Sequence, residues 1–370
     1  MKEDVGMKKA LRKIISIMMA VIMVVMVGAI LVSAEGITAD AWMSAISDET
    51  MITAINIPGT HDSAARYVTT AAVAQTQSLT IVEQLKIGVR YFDLRLNHEN
   101  DNFNLVHDTE NCKISASSAS IDLTGENVVN FFKSFLAKHP SETILCQLKE
   151  ERSSTGNSFY SDFYSMYISG NEDLWFTENR IPSIGEVRGK IVVLRAKGVD
   201  KDKFDDTNCG IDFSAYPYVP TLTVDDWRTV PVRKVSGEQY TYLHIQDSFK
   251  IEDDDKWASI SGFLQSDLSA DGFNICCTNC SNSKLPSSNA GVINAKLKAY
   301  TFESEKLYGI IAMDYVNTEL AAKIISTNNI VVIAQPVEAT TKRSFSDIIN
   351  EFFAKIIEFF MSLFSIGGTK

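Results

Sequence analysis

Two histidines, an arginine and several carboxylates sit at the ends of short apolar runs along this 370-residue chain. His61 and Asp62 follow the run 51–57 and its punctuation, Pro58-Gly59. Asp93 and Arg95 close the run Phe92-Asp93-Leu94-Arg95, and His107 with Asp108 closes the next. Lys149 and Glu150, then Arg195, Asp247 and Asp314, end the later ones. Two histidines from different strands suit paired acid–base work near neutral pH, where imidazole titrates. Each needs a carboxylate to fix its tautomer and stabilise its charged form, and Asp62, Asp93 and Asp314 are available. An arginine on the same rim offers a planar, permanent positive charge that fits a phosphate or a carboxylate. Base, acid and guanidinium together are the equipment of a phosphodiester cleavage in which a neighbouring hydroxyl attacks phosphorus. One histidine removes the hydroxyl proton, the other protonates the leaving oxygen, and the cation stabilises the equatorial charge.

The elements that must carry these residues are legible as alternating short strands and helices. Residues 51–57, 89–96, 104–107, 143–149, 190–195, 242–247, 272–277 and 309–315 read as strands. Helical periodicity fits 126–138, 159–167, 255–268, 291–302 and 318–327. About eight alternations predict an α/β fold, a single distorted (β/α)₈ TIM barrel spanning 35–336. A doubly wound sheet is the competitor, but no glycine-rich phosphate loop follows the first strand. Barrel enzymes keep their sites at the C-terminal ends of the strands, where the polar residues named above accumulate. His98 falls in the polar run Asn97-His98-Glu99-Asn100-Asp101 and reads as a loop residue. His139 precedes Pro140 at a helix end, and His244 alternates within a strand; both read as structural.

The two ends differ from this body. Lys8, Lys9, Arg12 and Lys13 precede a nearly uncharged run, 14–34, that ends Val32-Ser33-Ala34. This predicts a signal peptide, residues 1–34, and a secreted, extracellular protein. The apolar run is also long enough to serve as an uncleaved membrane anchor. Removing residues 1–34 takes away five basic and two acidic side chains and moves the formal net charge from −11 to −14. Such a surface excludes nucleic acid as a partner, so an anionic substrate must be met by local cations in a pocket. Near the other end, apolar residues recur every three or four positions from Phe345 to Phe364. They predict a C-terminal amphipathic helix, 341–366, that packs on the barrel or lies in a membrane interface. The six cysteines read as buried thiols or a local bridge. Cys277-Thr278-Asn279-Cys280 lacks the second ligand pair that zinc requires.

These motifs are recognisable together. Pro58-Gly59-Thr60-His61-Asp62-Ser63, Thr76-Gln77, and Gln84-Leu85-Lys86-Ile87-Gly88-Val89-Arg90-Tyr91-Phe92-Asp93-Leu94-Arg95 closely resemble the X region of bacterial phosphatidylinositol-specific phospholipases C. The resemblance continues through Val106-His107, Leu148-Lys149-Glu150, Gly189-Lys190-Ile191-Val192-Val193-Leu194-Arg195, Ile245-Gln246-Asp247-Ser248-Phe249-Lys250 and Met313-Asp314-Tyr315-Val316-Asn317. It implies a distorted TIM barrel that cleaves phosphatidylinositol to diacylglycerol and inositol 1,2-cyclic phosphate at a membrane surface. Glycosyl-phosphatidylinositol anchors are a further candidate substrate, and the protein is expected to be a monomer. By position, His61 is implied as the general base, His107 as the general acid and Arg95 as the phosphate-stabilising cation. Asp62 and Asp93 are implied on the acid side, and Asp314 as partner of the base. Lys149, Arg195, Asp247 and Phe249 are implied as substrate-binding residues. Eukaryotic relatives carry a calcium-binding carboxylate where this chain has Arg95, so the resemblance implies no metal and no cofactor.

Some positions depart from the family pattern. Phe249 stands where a tyrosine that stacks on inositol is usual, and Asp108-Thr109-Glu110 follows His107 where His-Gly is familiar. The stretch 207–238, with Phe213, Tyr216, Tyr218 and Trp227, reads as a substrate-rim loop, a membrane loop or packing. The competing functions are a phosphodiesterase of the same fold acting on another lipid head group and an inactive lipid- or sugar-binding barrel.

Overall fold

A computed structural model describes residues 36–333 apart from 100, 118, 154, 156–157, 198–199, 201, 205–206, 215, 217–220, 222–227 and 233–240. Of 228–232 and 241–242 it describes the backbone alone. The expected signal segment 1–34 and C-terminal helix 341–366 lie outside the described residues, as do Tyr218 and Trp227. The chain divides after Gln335, and the described residues all belong to the first unit.

Twelve strands are present among the described residues. They are β1 (Ile57–Thr60), β2 (Tyr91–Glu99), β3 (Asn102–His107), β4 (Glu110–Asn111), β5 (Ile144–Glu150) and β6 (Trp175–Phe176). There follow β7 (Ile191–Arg195), β8 (Ile211–Asp212), β9 (Arg228–Val232), β10 (Thr241–Gln246), β11 (Phe273–Cys277) and β12 (Ile310–Met313). The hydrogen-bonded path runs β6-β7-β5-β2-β1-β12-β11-β10-β9, with β8 on β7. Pairing is parallel throughout from β6 to β10, as helical crossovers require. The helices Gly125–Lys138, Asp253–Gln265 and Pro286–Ala299 supply such crossovers, and Thr318–Ser326 follows the last strand.

This is the α/β barrel architecture, distorted as expected. Among the described residues the ladder does not close into a ring. Side chains close the curl instead: the ring of Phe213, just past β8, meets Phe273 of β11 edge-on at 5.3 Å. The interior is filled from strands all round the curl, with Ile57, Leu145, Val192, Leu243, Ile275 and Ile310 buried in one cluster. Burial of such side chains, worth about 1.5–3 kcal/mol each, holds the strands in register despite the open seam.

Three boundaries differ from the sequence reading. The first strand is 57–60 and not 51–57; Ile52–Ala54 forms a 3₁₀ turn, and Pro58 lies inside the strand. Ile57 and His61 donate to Gly309 and Met313 on the β12 side, so Pro58 turns its missing donor toward β2. There pairing starts only at Gly59. Gly59 itself admits a ring: a Cβ at this position would lie 2.7 Å from Tyr91 Cδ1. The run 104–107 is not a barrel strand, because β3 turns back antiparallel on β2 from Leu96 onward. The helix expected at 291–302 begins earlier, with Pro286 in its first turn.

Candidate active site

Register delivers the site. Thr60 pairs with Phe92 and with Met313, so the next residues stand at one level, Asp93 within β2 and His61 and Asp314 just past the ends of β1 and β12. Arg95 pairs with Lys149 on the neighbouring strand. The β2–β3 hairpin then returns His107 to the same mouth.

His61 Nδ1 lies 2.8 Å from Asp314 Oδ1, and its Nε2 lies 2.9 Å from an Arg95 terminal nitrogen and 3.2 Å from Asp62 Oδ2. Guanidinium only donates, so that contact uses the Nε2 lone pair, leaving the Nδ1 proton for Asp314. Burial pulls the pKa of His61 down, but the Asp62 and Asp314 charges more than reverse it, and it stands raised to about 9. His107 Nδ1 donates to the carbonyl of Ala74 at 2.6 Å, which leaves Nε2 facing Asp62 Oδ2 at 3.3 Å. Asp62 thus lies between the two imidazoles. It holds a left-handed backbone conformation, φ 41°, which turns its carboxylate back into the mouth.

Arg95 ties the cluster together. Its Nε is 2.7 Å from Asp62 Oδ1, and its terminal nitrogens reach Asp93 Oδ2 at 3.1 Å and Glu151 Oε2 at 3.0 Å. Burial would raise the pKa of Asp62 and of Asp93, but Arg95, their strongest opposing charge, holds both carboxyls below their usual range. The same carboxylates push Arg95 well up against the effect of burial. His61, Asp62 and Asp93 also have ligand atoms within 4.8 Å of one another, a spacing that could hold a metal ion. Here the guanidinium bridges both carboxylates, so a divalent cation would meet a fixed positive charge. The residues present do not fit a metal.

The implied substrate-binding residues are placed unequally. Lys149 Nζ lies 5.8 Å from the centroid of the Tyr216 ring, and Asp247 Oδ2 accepts from the Tyr216 hydroxyl at 3.3 Å. Arg195 is buried and turned aside: it donates to the Cys209 carbonyl at 3.0 Å and pairs with Asp212 at 3.1 Å. Phe249 follows β10 and lies next to Lys250, whose ammonium is 5.8 Å from its ring centroid. Of the acids after Lys149, Glu150 points away, to Lys197 at 2.8 Å. Strand alternation puts Lys149 and Glu151 on one side, a signal the sequence already held. His98 stacks on Phe103 and His139 on Phe135, away from the mouth. All six cysteines are buried thiols, and no local bridge forms.

Side-chain amides to which the sequence reading gave no role hold the cluster. Gln77 donates to the carbonyls of His61 and Met313, both at 2.8 Å, and its own oxygen accepts from Val316 N at 3.3 Å. Gln147 accepts from Tyr91 at 2.8 Å and donates to Asp93 Oδ1 at 3.2 Å. Asn294 caps the carbonyls of Asp314 and Tyr315.

Comparison with known proteins points to one family. Residues 55–197 match the family model described as phosphatidylinositol-specific phospholipase C, X domain. A 1-phosphatidylinositol phosphodiesterase of Listeria monocytogenes is 27% identical over 313 residues, 80% of this chain and 86% of its own. One from Staphylococcus aureus is 27% identical over 234 residues, 60% of this chain and 68% of its own. The solved phosphatidylinositol-specific phospholipase C of Listeria monocytogenes superposes with a TM-score of 0.59 at 24% identity, covering 79% of this chain and 99% of that one. A Staphylococcus aureus enzyme, studied for its membrane binding, gives 0.63 at 22%, covering 79% and 98%. These structures share the fold.

Proposed function

We propose that this chain, which belongs to the phosphatidylinositol-specific phospholipase C X-domain family, cleaves phosphatidylinositol to diacylglycerol and inositol 1,2-cyclic phosphate. The observation that carries the reading is one carboxylate between two imidazoles: Asp62 Oδ2 is 3.2 Å from His61 Nε2 and 3.3 Å from His107 Nε2. Beside them stands Arg95, the only kind of side chain that offers several permanent donors in one plane.

The inositol 2-hydroxyl gives its proton to His61 Nε2 as its oxygen bonds to phosphorus. The bond from phosphorus to the diacylglycerol oxygen breaks, and His107 Nε2 supplies that oxygen with a proton. No water is consumed, and the product is a cyclic phosphodiester anion. Asp314 steadies the charge that His61 acquires, and Arg95 steadies the charge on the equatorial oxygens. Lys149 and Asp247 receive the inositol hydroxyls, and the reaction needs no metal. The chain works outside the cell after removal of 1–34, at membrane surfaces, with the segment 341–366 as a candidate contact with lipid. Among the described residues no helix is long and apolar enough to cross a membrane.

The test is hydrolysis of phosphatidylinositol vesicles by the purified protein in EDTA, followed by phosphorus NMR. The expected result is an early cyclic phosphate signal at undiminished rate. A metal requirement, or acyclic phosphate alone from the first time point, overturns the mechanism.

A further inference from the structure

Tyr216 comes from the aromatic stretch that sequence reasoning could assign only to a substrate-rim loop, a membrane loop or packing. Its hydroxyl lies 3.3 Å from Asp247 Oδ2 and 3.4 Å from Cys277 Sγ, while Lys149 Nζ lies 5.8 Å from its ring centroid. A carboxylate oxygen only accepts, so the phenol proton goes to Asp247. The phenol oxygen is then left to accept from the thiol of Cys277. Burial pushes both the Tyr216 hydroxyl and the Cys277 thiol well up, so each keeps its proton. The result is a one-way chain, Cys277 to Tyr216 to Asp247.

The other oxygen of Asp247 is treated differently. Oδ1 is buried and has no hydrogen-bond partner among the described residues. An unpaired carboxylate oxygen at depth is costly, and such atoms are retained where a ligand completes them. Asp247 stands just past the C-terminal end of β10, at the same barrel mouth as Lys149.

Resting on the reading of this mouth as an inositol site, we propose that Tyr216 is a positioning residue for the head group. It occupies Oδ2 of Asp247 so that Oδ1 is presented to a ligand hydroxyl, and its ring supports Lys149 on the same side. Lys149 and Asp247 come from strands on either side of the open seam, and Tyr216 sets their relative position.

The experiment compares wild type, Tyr216→Phe, Tyr216→Leu, Cys277→Ala and Cys277→Ser on phosphatidylinositol in detergent micelles, with free myo-inositol as competitor. Tyr216→Phe keeps the ring and should raise KM and the inositol Ki together by about tenfold, as loss of a hydrogen bond to a charged group predicts. Its kcat should stay within threefold, and its Tm should not move. Tyr216→Leu should add a further loss in KM, and Cys277→Ser should restore what Cys277→Ala loses. Wild-type KM and Ki in Tyr216→Phe overturn the proposal, as does a fall in kcat that tracks a fall in Tm. A wild type that leaves phosphatidylinositol intact removes the head-group reading itself and the proposal with it.

Discussion

His61 and Asp314 meet at 2.8 Å across 253 positions of sequence, because the first and last barrel strands are neighbours. The contact does two things: it keeps the Nδ1 proton in place, and it raises the affinity of Nε2 for a second one. With the Asp62 charge, it pushes the His61 imidazole up from an ordinary 6.5 to about 9. A base is competent only when deprotonated, so kcat/KM should climb with pH, reach half its plateau near 9 and level off about one pH unit above. Asp314→Asn removes one of the two raising charges. The acid limb should move to lower pH, while the plateau falls by roughly 10²-fold or more as the imidazole loses its orientation. An unmoved limb measured by stopped assay from pH 5 to 10 would remove Asp314 from this role.

His61→Ala and His107→Ala should each lower kcat by roughly 10²–10⁴-fold. His98→Ala is the control, since that ring stacks on Phe103 and takes no part in the cluster. A larger loss in His98→Ala than in His107→Ala would show that the acid has been assigned to the wrong imidazole.

Arg95 serves four partners at once, Asp62, Asp93, Glu151 and His61. A lysine offers one nitrogen in place of three and cannot span them. Arg95→Lys should therefore cost roughly 10²–10³-fold in kcat, the scale of a lost charge-stabilising donor. Activity within threefold of wild type would mean that any cation suffices there.

The two glutamates after Lys149 separate by face. Glu151→Gln loosens Arg95 and should reduce kcat, whereas Glu150→Gln touches the contact with Lys197 and the turn at Ser153 and Thr155. Kinetic constants for both, taken side by side, check the alternation directly; a greater loss in Glu150→Gln would reverse it.

What could be read from the chain and what could not divide along physical lines. His61, Arg95, Lys149 and Asp314 close apolar runs, and a parallel barrel brings such ends together whatever the exact register. The start of β1 was misplaced because Pro58 reads as a breaker unless one knows which edge lacks a partner. Arg195 ends a strand as well, yet its guanidinium is drawn to Asp212, in a two-residue strand too short to announce itself, and to Cys209 just before it. Gln77 and Tyr216 lie in irregular segments, where no periodicity tells which way a side chain points.

Gln77 gives the clearest case of a stability effect located at the site. Its fully buried amide satisfies two carbonyls and one amide hydrogen, from His61, Met313 and Val316, on both sides of the β1–β12 seam. Leucine has nearly the same volume and none of these bonds. Gln77→Leu takes their partner from the His61 carbonyl and the Val316 N–H, at about 1–3 kcal/mol each before any relaxation, and leaves the Met313 carbonyl with His61 N alone. The Tm should fall by roughly 5 °C or more. Because His61 and the residue before Asp314 are the ones released, kcat should fall even at temperatures where the variant is fully folded. Asn at 77 is too short to reach both strands and should recover little of either. A Gln77→Leu protein with wild-type Tm would mean that water replaces the amide, and the seam would then owe its register to the flanking ladder alone.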